Sequence, residues 1–457
     1  MSGPAPSPVN PARFGLLTLT CVVVASMIGA GVFTTSGFSL AALSSPQLVL
    51  TAWGVGGLIA LAGAVAYGEL SRRLPVSGGE YLYLSRRLHP LAGFLAGWVS
   101  LTAGFSGAIA MAALTFESYL FDGNRPDWLP EKLAAALIIA AFGVGHAFVV
   151  RAAASLQNAV VLVKLSVLVV FLLWAASSSS SHPWSWESLP PAKDAQLPTL
   201  WMQLLVFAES VMWISLSYAG FNAAVYIASE VRDPERDVPR SLWLGTGVVT
   251  ILYLLLNLVF VTAAPAAEIA GQERVAAIAA GAIGGPPLQR LIRLAVCLGA
   301  LSSVAGMVMT GPRVFARMAD DGLFPKIFRS GPASTARTVL LQSAISIGLV
   351  FWSSLAGLLS YLSALLALSS ALTVATLLIP VRGRTSASPQ REVSVGIMAA
   401  AAFYVLATLA TAGMMALRDV RNLAGVAITL AAGLLLWSFI PATGEQQAEA
   451  AGDGQGS

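Results

Sequence analysis

The sequence predicts an all-α integral membrane protein of about twelve transmembrane helices, two of them interrupted in mid-span. Three observations carry this prediction. Hydrophobic residues make up 56% of the 457, charged residues only 11%, and the mean hydropathy is +0.77, so most of the chain must lie in hydrocarbon. Apolar runs long enough to cross a bilayer recur from end to end, joined by mostly short polar loops. In the first and sixth runs, glycine and hydroxyl residues interrupt the apolar pattern at similar depth. The lipid bilayer is therefore the first partner of this chain. Both cysteines, Cys21 and Cys297, fall inside apolar runs, which argues against a disulfide framework and a zinc-type cluster. The net charge of +4 is accounted for by membrane topology rather than by a nucleic-acid surface. Neither a nucleic-acid partner nor a cofactor is expected.

Taken in order, residues 1–13 form a tail rich in Pro and Ser that lacks the basic region of a signal peptide, so the first apolar run is expected to be retained. That run, 14–41, contains Ser26-Met-Ile-Gly-Ala-Gly-Val-Phe-Thr-Thr-Ser-Gly37. Glycine is a poor helix former, and irregular backbone at membrane depth is tolerated only where it lines a cavity or is buried in protein. A break is expected over Ile28 to Gly31. Close approach of two helices through small residues is the competing account. The second span is 47–70; the third, 91–118, carries Gly104-Phe-Ser-Gly107, and the fourth, 132–150, carries His146. Lys164 lies about ten residues into the fifth span, 155–176, where a central charge costs roughly 2.5–3.5 kcal/mol. It must have polar company. The sixth span, 200–229, holds Glu209 in its outer half and then the second interruption, Ser215-Leu-Ser-Tyr-Ala-Gly-Phe-Asn222.

Asn257 falls in the seventh span, 241–263, and Ser302 and Ser303 in the eighth, 287–311. The ninth and tenth, 338–355 and 357–379, are so close that they must form a hairpin around Ala356. The last two, 394–416 and 422–440, precede a polar tail from Thr443 whose composition is that of a disordered segment. The chain thus divides into a tail (1–13), a ten-helix core (14–379), two additional helices (380–440) and a second tail (441–457). Roughly twice as many Lys and Arg fall on the N-terminal side of the spans as on the other. This bias places both termini in the cytoplasm, and an even number of crossings agrees.

Spans one and six are five crossings apart and so run in opposite directions. Paired breaks in corresponding helices of two halves mark an inverted repeat with a binding site near the midplane. If the first helix unwinds at Ile28 to Gly31, its second half starts with unpaired N–H groups and a positive dipole end, which suits a carboxylate. The first half of helix six should end near Leu216 and Ser217 with unpaired carbonyls, which together with that of Ile28 accept from an ammonium. Such a site recognises a zwitterion without charged side chains. Its candidate residues are Met27, Ile28, Gly29, Ala30 and Gly31 on one side and Leu216, Ser217, Tyr218, Ala219, Gly220, Phe221 and Asn222 on the other. Phe221, or Tyr218 beside it, would cover the pocket.

Four stretches carry a family resemblance: Met27-Ile-Gly-Ala-Gly-Val-Phe33; Tyr67-Gly-Glu-Leu-Ser-Arg-Arg-Leu-Pro-Val-Ser-Gly-Gly-Glu-Tyr81; Ser217-Tyr-Ala-Gly-Phe-Asn222 running on to Ser229-Glu-Val-Arg-Asp-Pro-Glu-Arg-Asp-Val-Pro-Arg240; and Met318-Ala-Asp-Asp-Gly-Leu-Phe-Pro325. In this order and spacing the chain resembles the amino acid/polyamine/organocation transporters, and within them the bacterial amino acid permeases akin to the L-type exchangers. Where that family usually has Gly-Ser-Gly, this chain has Gly29-Ala30-Gly31, which loses a hydroxyl and keeps the backbone donors. The resemblance implies a leucine-transporter-like fold with a five-plus-five inverted repeat in the first ten helices, an aromatic gate near the second break, and residence in the cell's inner (plasma) membrane. It also implies that a lysine in the fifth helix replaces the sodium ion that ties helix one to helix eight in sodium-coupled relatives. Lys164 would then face the carbonyls near Gly29 and the hydroxyls of Ser302 and Ser303, either as an electrostatic lock or as the carrier of a coupled proton. By resemblance alone, Glu69, Arg72, Arg73, Glu80 and Glu230 belong to an inner gate, with Arg232, Asp233, Glu235 and Arg236 as a charge network beside it.

The expected function is secondary active, sodium-independent transport of amino acids by alternating access. Neutral L-amino acids are favoured because the backbone reads the zwitterion. Proton-coupled transport of a polyamine or cationic amino acid, drawn in by Glu209, is the alternative. A sensor with a transporter's fold and an intramembrane serine protease are the other classes. For the latter, Gly104-Phe-Ser-Gly107 would supply the nucleophile and His146 its base. With both cysteines in the membrane, no disulfide-linked heavy chain is expected.

Overall fold

Helix starts follow capping chemistry that is visible residue by residue. Ser45 Oγ accepts from the N–H of Leu48 at 3.4 Å while Pro46, which has no N–H to lose, occupies the first turn. Thr199 accepts from Met202 at 3.3 Å and Ser354 from Gly357 at 3.1 Å in the same way. The computed structural model describes residues 14–75, 77–148, 153–178, 180–190, 199–329, 331–379, 393–418 and 420–440. The tails expected over 1–13 and 441–457 lie outside them.

Among the described residues, sixteen α-helices follow one another: α1 (Leu16–Met27), α2 (Thr35–Leu43), α3 (Pro46–Arg73), α4 (Gly79–Arg87), α5 (Pro90–Val99), α6 (Ala108–Phe121), α7 (Leu133–Phe148), α8 (Ala153–Ser177), α9 (Leu200–Ser217), α10 (Pro234–Thr262), α11 (Ala266–Ile269), α12 (Val275–Asp320), α13 (Pro332–Trp352), α14 (Leu355–Ala375), α15 (Val395–Arg418) and α16 (Arg421–Trp437). Among the described residues, eight helices are long and apolar enough to cross a membrane. Shorter apolar helices over Leu16–Met27, Leu133–His146, Val161–Ser177 and Leu423–Trp437 occupy the first, fourth, fifth and twelfth expected positions. This is a multi-pass, all-helical membrane protein. Its core is built where α1 and α3 pack on α10, α12 packs on α6 and α8, and α15 packs on α3 and α9.

Three local expectations change. The third span, Pro90–Phe121, is continuous, but Ser100–Gly107 inside it is wound as a π-helix. The eighth expected span extends back to Val275, with a bend at Gly285 (φ 66°) just before Pro286 and Pro287. Prolines cannot continue a helix from the preceding turn but are well suited to start one. The ninth and tenth spans turn at Ser353 and Ser354 rather than around Ala356, because Ser353 is extended and Ser354 caps the next helix.

Candidate functional site

The first break falls within the glycine-rich stretch. α1 ends at Met27, and Ile28 adopts φ −77°, ψ 82° with the N–H of Gly29 on the carbonyl of Met27 at 2.8 Å, an inverse γ-turn. A 3₁₀ turn over Gly31–Phe33 then leads into α2. Among the described residues, the N–H groups of Ala30 and Gly31 meet no backbone carbonyl. The second half of this interrupted helix therefore starts on free donors.

The second break lies directly across from the first. α9 ends at Ser217, Gly220 takes φ 97°, and the chain resumes as a 3₁₀ helix over Ala223–Glu230, with Asn222 at its start. A Cβ on Gly31 would stand 2.5 Å from Ser217 Oγ, and one on Gly220 would stand 2.9 Å from the carbonyl oxygen of Ser26. Residue numbers rise along one segment as they fall along the other, so the segments cross antiparallel. Both glycines are needed for close approach, and Gly220 also for its positive φ. The hydroxyls of the first stretch fasten the crossing. Thr35 Oγ1 lies 3.2 Å from Ser217 Oγ, Ser36 donates to Asn257, and Trp53 Nε1 donates to Ser36 at 2.8 Å. Tyr119 donates to the carbonyl of Phe33 at 2.7 Å.

Sequence reasoning missed Tyr253. From the middle of α10 its hydroxyl reaches the carbonyl of Met27 at 2.6 Å and that of Ser217 at 3.1 Å, the last residues of the two helices before their breaks. One proton is thus shared between both broken ends. The signal available was one tyrosine in a span that also carries Thr246, Thr250 and Asn257, which says nothing of its partner.

Lys164 has the polar company that its depth demands. Its Nζ donates to the carbonyl of Ile28 at 2.5 Å, beside a void of about 10 Å³ bounded by Gly29, Ala30, Phe33, Val296, Gly299 and Ala300. The helix-eight contact differs from the expectation of Ser302 and Ser303. Gly299 faces the lysine stem, close enough that an added Cβ would stand 3.0 Å from Lys164 Cδ, and Ser303 returns its hydroxyl to the carbonyl of Gly299 at 3.0 Å. A serine in a helix readily bonds back one turn, which removes its donor from the neighbour.

The carbonyls expected to be bare are also engaged. That of Leu216 takes the N–H of Ala219 at 3.0 Å, Ser217 takes Tyr253, and Ile28 takes Lys164. A carbonyl oxygen has two lone pairs, so each keeps one acceptor site. The aromatic candidates are buried against neighbouring helices, and the Tyr218 ring lies 5.2 Å from that of Tyr253. Tyr218 donates to the carbonyl of Trp53 at 3.1 Å, while Phe221 sits edge-on to Tyr67 and Tyr404. Phe38 and Trp213 form a partly buried T-shaped pair, 6.5 Å apart, and pack against the same hydrophobic cluster as Ala30 and Leu216. Glu209 is buried in an ion pair with Arg418 of α15.

At the end of the bundle where α1 begins, the expected gate residues separate into distinct groups. Glu69 pairs with Arg73 at 2.9 Å and Arg72 at 3.7 Å, and Arg72 Nε donates to the carbonyl of Glu235 at 3.1 Å. Glu230 contributes through its backbone, since the N–H of Phe14 donates to its carbonyl at 3.2 Å and the N–H of Arg232 donates to that of Phe14 at 3.1 Å. Ser77 and Ser229 meet at 2.6 Å. Glu80 stands apart from the arginines. Its buried carboxylate accepts from Tyr67 at 2.6 Å and from Ser369 of α14. Burial pushes the Glu80 carboxyl above its ordinary value, and the hydroxyls of Ser369 and Tyr67 offset part of that rise. Two residues of the resemblance stretches also meet here, Tyr81 donating to Asp321 at 2.6 Å.

The serine and histidine considered for proteolysis do not pair with each other, and the buried Ser106 hydroxyl has no hydrogen-bond partner among the described residues. Ser106 lies in the π-helical stretch, and the ring of His146 meets the carbonyl of Phe142 in its own helix at 3.1 Å.

Residues 14–439 match the sequence model of a family described as amino acid permease. The chain is 27% identical over 320 residues to the large neutral amino acids transporter small subunit 2 of Homo sapiens, covering 69% of this chain and 59% of that protein. It is 27% identical over 343 residues to solute carrier family 7 member 12 of Mus musculus, covering 73% and 72%. With the b(0,+)-type amino acid transporter 1 of Homo sapiens it shares 26% identity over 324 residues, covering 69% and 64%. The match thus spans less than two thirds of the length of the first and third of these relatives.

Proposed function

The chain belongs to the amino acid permease family, and from that premise we propose that it is a secondary active transporter of neutral L-amino acids, working by alternating access without sodium. The observation that carries this reading is the antiparallel crossing of two broken helices, with the free N–H groups of Ala30 and Gly31 at its centre. These donors and the dipole of the second half-helix take the substrate carboxylate. The remaining lone pairs on the carbonyls of Ile28 and Ser217 take the ammonium, and Phe38 and Trp213 cover the substrate side chain. Pairing with Arg418 withdraws Glu209 from any cationic side chain, which favours neutral substrates. The first ten membrane helices form the five-plus-five repeat, the last two flank it, and both termini are cytoplasmic. Both cysteines sit in apolar helices, α1 and α12, so transport needs no disulfide-linked subunit.

The test is uptake of a panel of radiolabelled amino acids into proteoliposomes, with and without internal amino acid, at two external pH values. Saturable uptake of neutral L-amino acids is expected, and replacing sodium by choline should leave it unchanged, because Lys164 holds the place of the ion. A steep sodium requirement would overturn that assignment. Uptake only of polyamines or cationic amino acids would overturn the substrate class.

Within this scheme, the contacts around Phe14, Ser77, Glu80 and Glu230 form the closed inner gate. A carboxyl whose value is raised by burial holds its proton more tightly in the closed state than when hydrated. Closure is therefore favoured below the ordinary glutamate value and weakens as pH rises from there through the raised one. In a Cys21→Ala background, labelling of a cysteine introduced at Ser77 by a membrane-impermeant thiol reagent should rise with pH. Normalised to Glu80→Gln, which stays uncharged throughout, the rise should remain; equal pH profiles in the two proteins would refute the role of Glu80.

A further inference from the structure

A second site lies on the outside of the bundle. Between α1, α3, α10 and α15, at the end where α1 begins, is an open groove of about 480 Å³. Leu16, the first residue of α1, forms part of its wall; the crossing of the broken helices begins after Met27, roughly 16 Å farther along the same helix. The groove is separate from the proposed amino acid site.

Its chemistry is graded along the membrane normal. Arg72 is in the last turn of α3 and Arg240 near the start of α10, so both guanidinium groups belong to the aqueous ends of membrane helices. Val65 and Leu244 line the same groove roughly 6–10 Å deeper along those helices. Trp243, 54% exposed, stands between the two levels, where tryptophan is favoured at a membrane interface. The geometry arises from one close contact: a Cβ on Gly68 would stand 3.0 Å from Cβ of Pro239, so α3 and α10 approach tightly enough for both arginines to face one space.

The charge balance is positive. Glu69 also lines the groove, but its carboxylate is shared between Arg73 at 2.9 Å and Arg72 at 3.7 Å. Arg240 is exposed and makes no ion pair among the described residues. A free anion would satisfy the guanidinium groups and leave the apolar length of the groove uncovered. An amphiphile with an anionic head satisfies both.

We propose that this groove binds an anionic phospholipid of the adjacent leaflet, its phosphate between Arg72 and Arg240 and an acyl chain along Val65, Leu244 and Ile397. Basic pockets between membrane helices recognise such head groups by this combination of charge and depth. Because Leu16 opens α1, the bound lipid holds that end of α1 against α3 and α10.

The test uses the full-length protein and two variants outside the transport machinery, Arg240→Gln and Trp243→Ala. Each is reconstituted with phosphatidylglycerol and phosphatidylcholine in equal amounts, and the retained lipid is counted by native mass spectrometry. Wild type should retain phosphatidylglycerol preferentially, and Arg240→Gln should lower that retention about fivefold. Trp243→Ala should also lower it, and serves if Arg240→Gln does not fold. Equal retention of the two lipids by wild type, or unchanged retention in a folded variant, would overturn the proposal. So would displacement of the lipid by inorganic phosphate at about 10 mM, since most of the affinity would then be for a free anion. Amino acid uptake in pure phosphatidylcholine vesicles is measured in parallel, so that failure of lipid binding is distinguishable from failure of the transport reading.

Discussion

Replacing Gly31 by leucine should reduce amino acid uptake to background while the protein still folds. The first atom added already collides: a Cβ at this position would stand 2.5 Å from Ser217 Oγ and 3.1 Å from Ser217 Cα. The hydroxyl can rotate away, but the Cα belongs to the last residue of α9, which Tyr253 and Thr35 hold in place. Overpacking of this kind costs about 1–3 kcal/mol even where the surroundings relax. Here relaxation means separating the two breaks, so the cost falls on the arrangement proposed to bind substrate. Even Gly31→Ala should lower uptake about tenfold, near the lower end of that range. Gly54 makes the control, because nothing lies within 4 Å of where its Cβ would be. Gly54→Leu should transport normally. Gel filtration and a melting curve establish that Gly31→Leu is folded, and normal uptake by that folded variant would remove the first break from the site.

Lys164→Ala is expected to have the second largest effect. It takes away the donor on the Ile28 carbonyl and enlarges a void that now measures about 10 Å³. A buried acceptor left without a partner costs about 1–3 kcal/mol, and this one lies on the turn that shapes the first break. Uptake should fall at least tenfold, in the range that such a penalty implies. Lys164→Arg should not restore it, because the wider guanidinium has no room beside Gly299 and the void. The reverse substitution, Gly299→Ala, presses a methyl toward Lys164 Cδ at 3.0 Å and should impair uptake through the same contact. Measurements at two pH values separate the roles of the lysine. If it is a fixed tie, Lys164→Ala lowers exchange equally at both; if it carries a proton, accumulation driven by an acid-outside gradient disappears while exchange persists.

Glu80 illustrates how far local reading reaches. In the sequence it follows Glu69, Arg72 and Arg73 closely, and the resemblance places all four in one inner gate. The structure instead sends it to Ser369, 289 residues away, because α4 turns it into the packed interior while the arginines stay near the rim. Glu209 shows the same effect: an acid in an apolar run demands a partner, but nothing nearby identifies Arg418. The ammonium of Lys164 was legible as needing company, and the carbonyl of Ile28 supplies it, yet the helix-eight surface it touches is Gly299 rather than Ser302 and Ser303.

The sequence by itself determined the membrane class, the positions of the apolar runs and both helix breaks. These depend on composition, on helix length against bilayer thickness, and on glycines whose effect is felt within a few residues. Only the tertiary structure decided that Tyr253 joins the two breaks, that Thr35 meets Ser217, and that Phe38 and Trp213 form a T-shaped pair. Partner choice depends on which helix faces which and at what height, and residues separated by 182 or 226 positions carry no local sign of it.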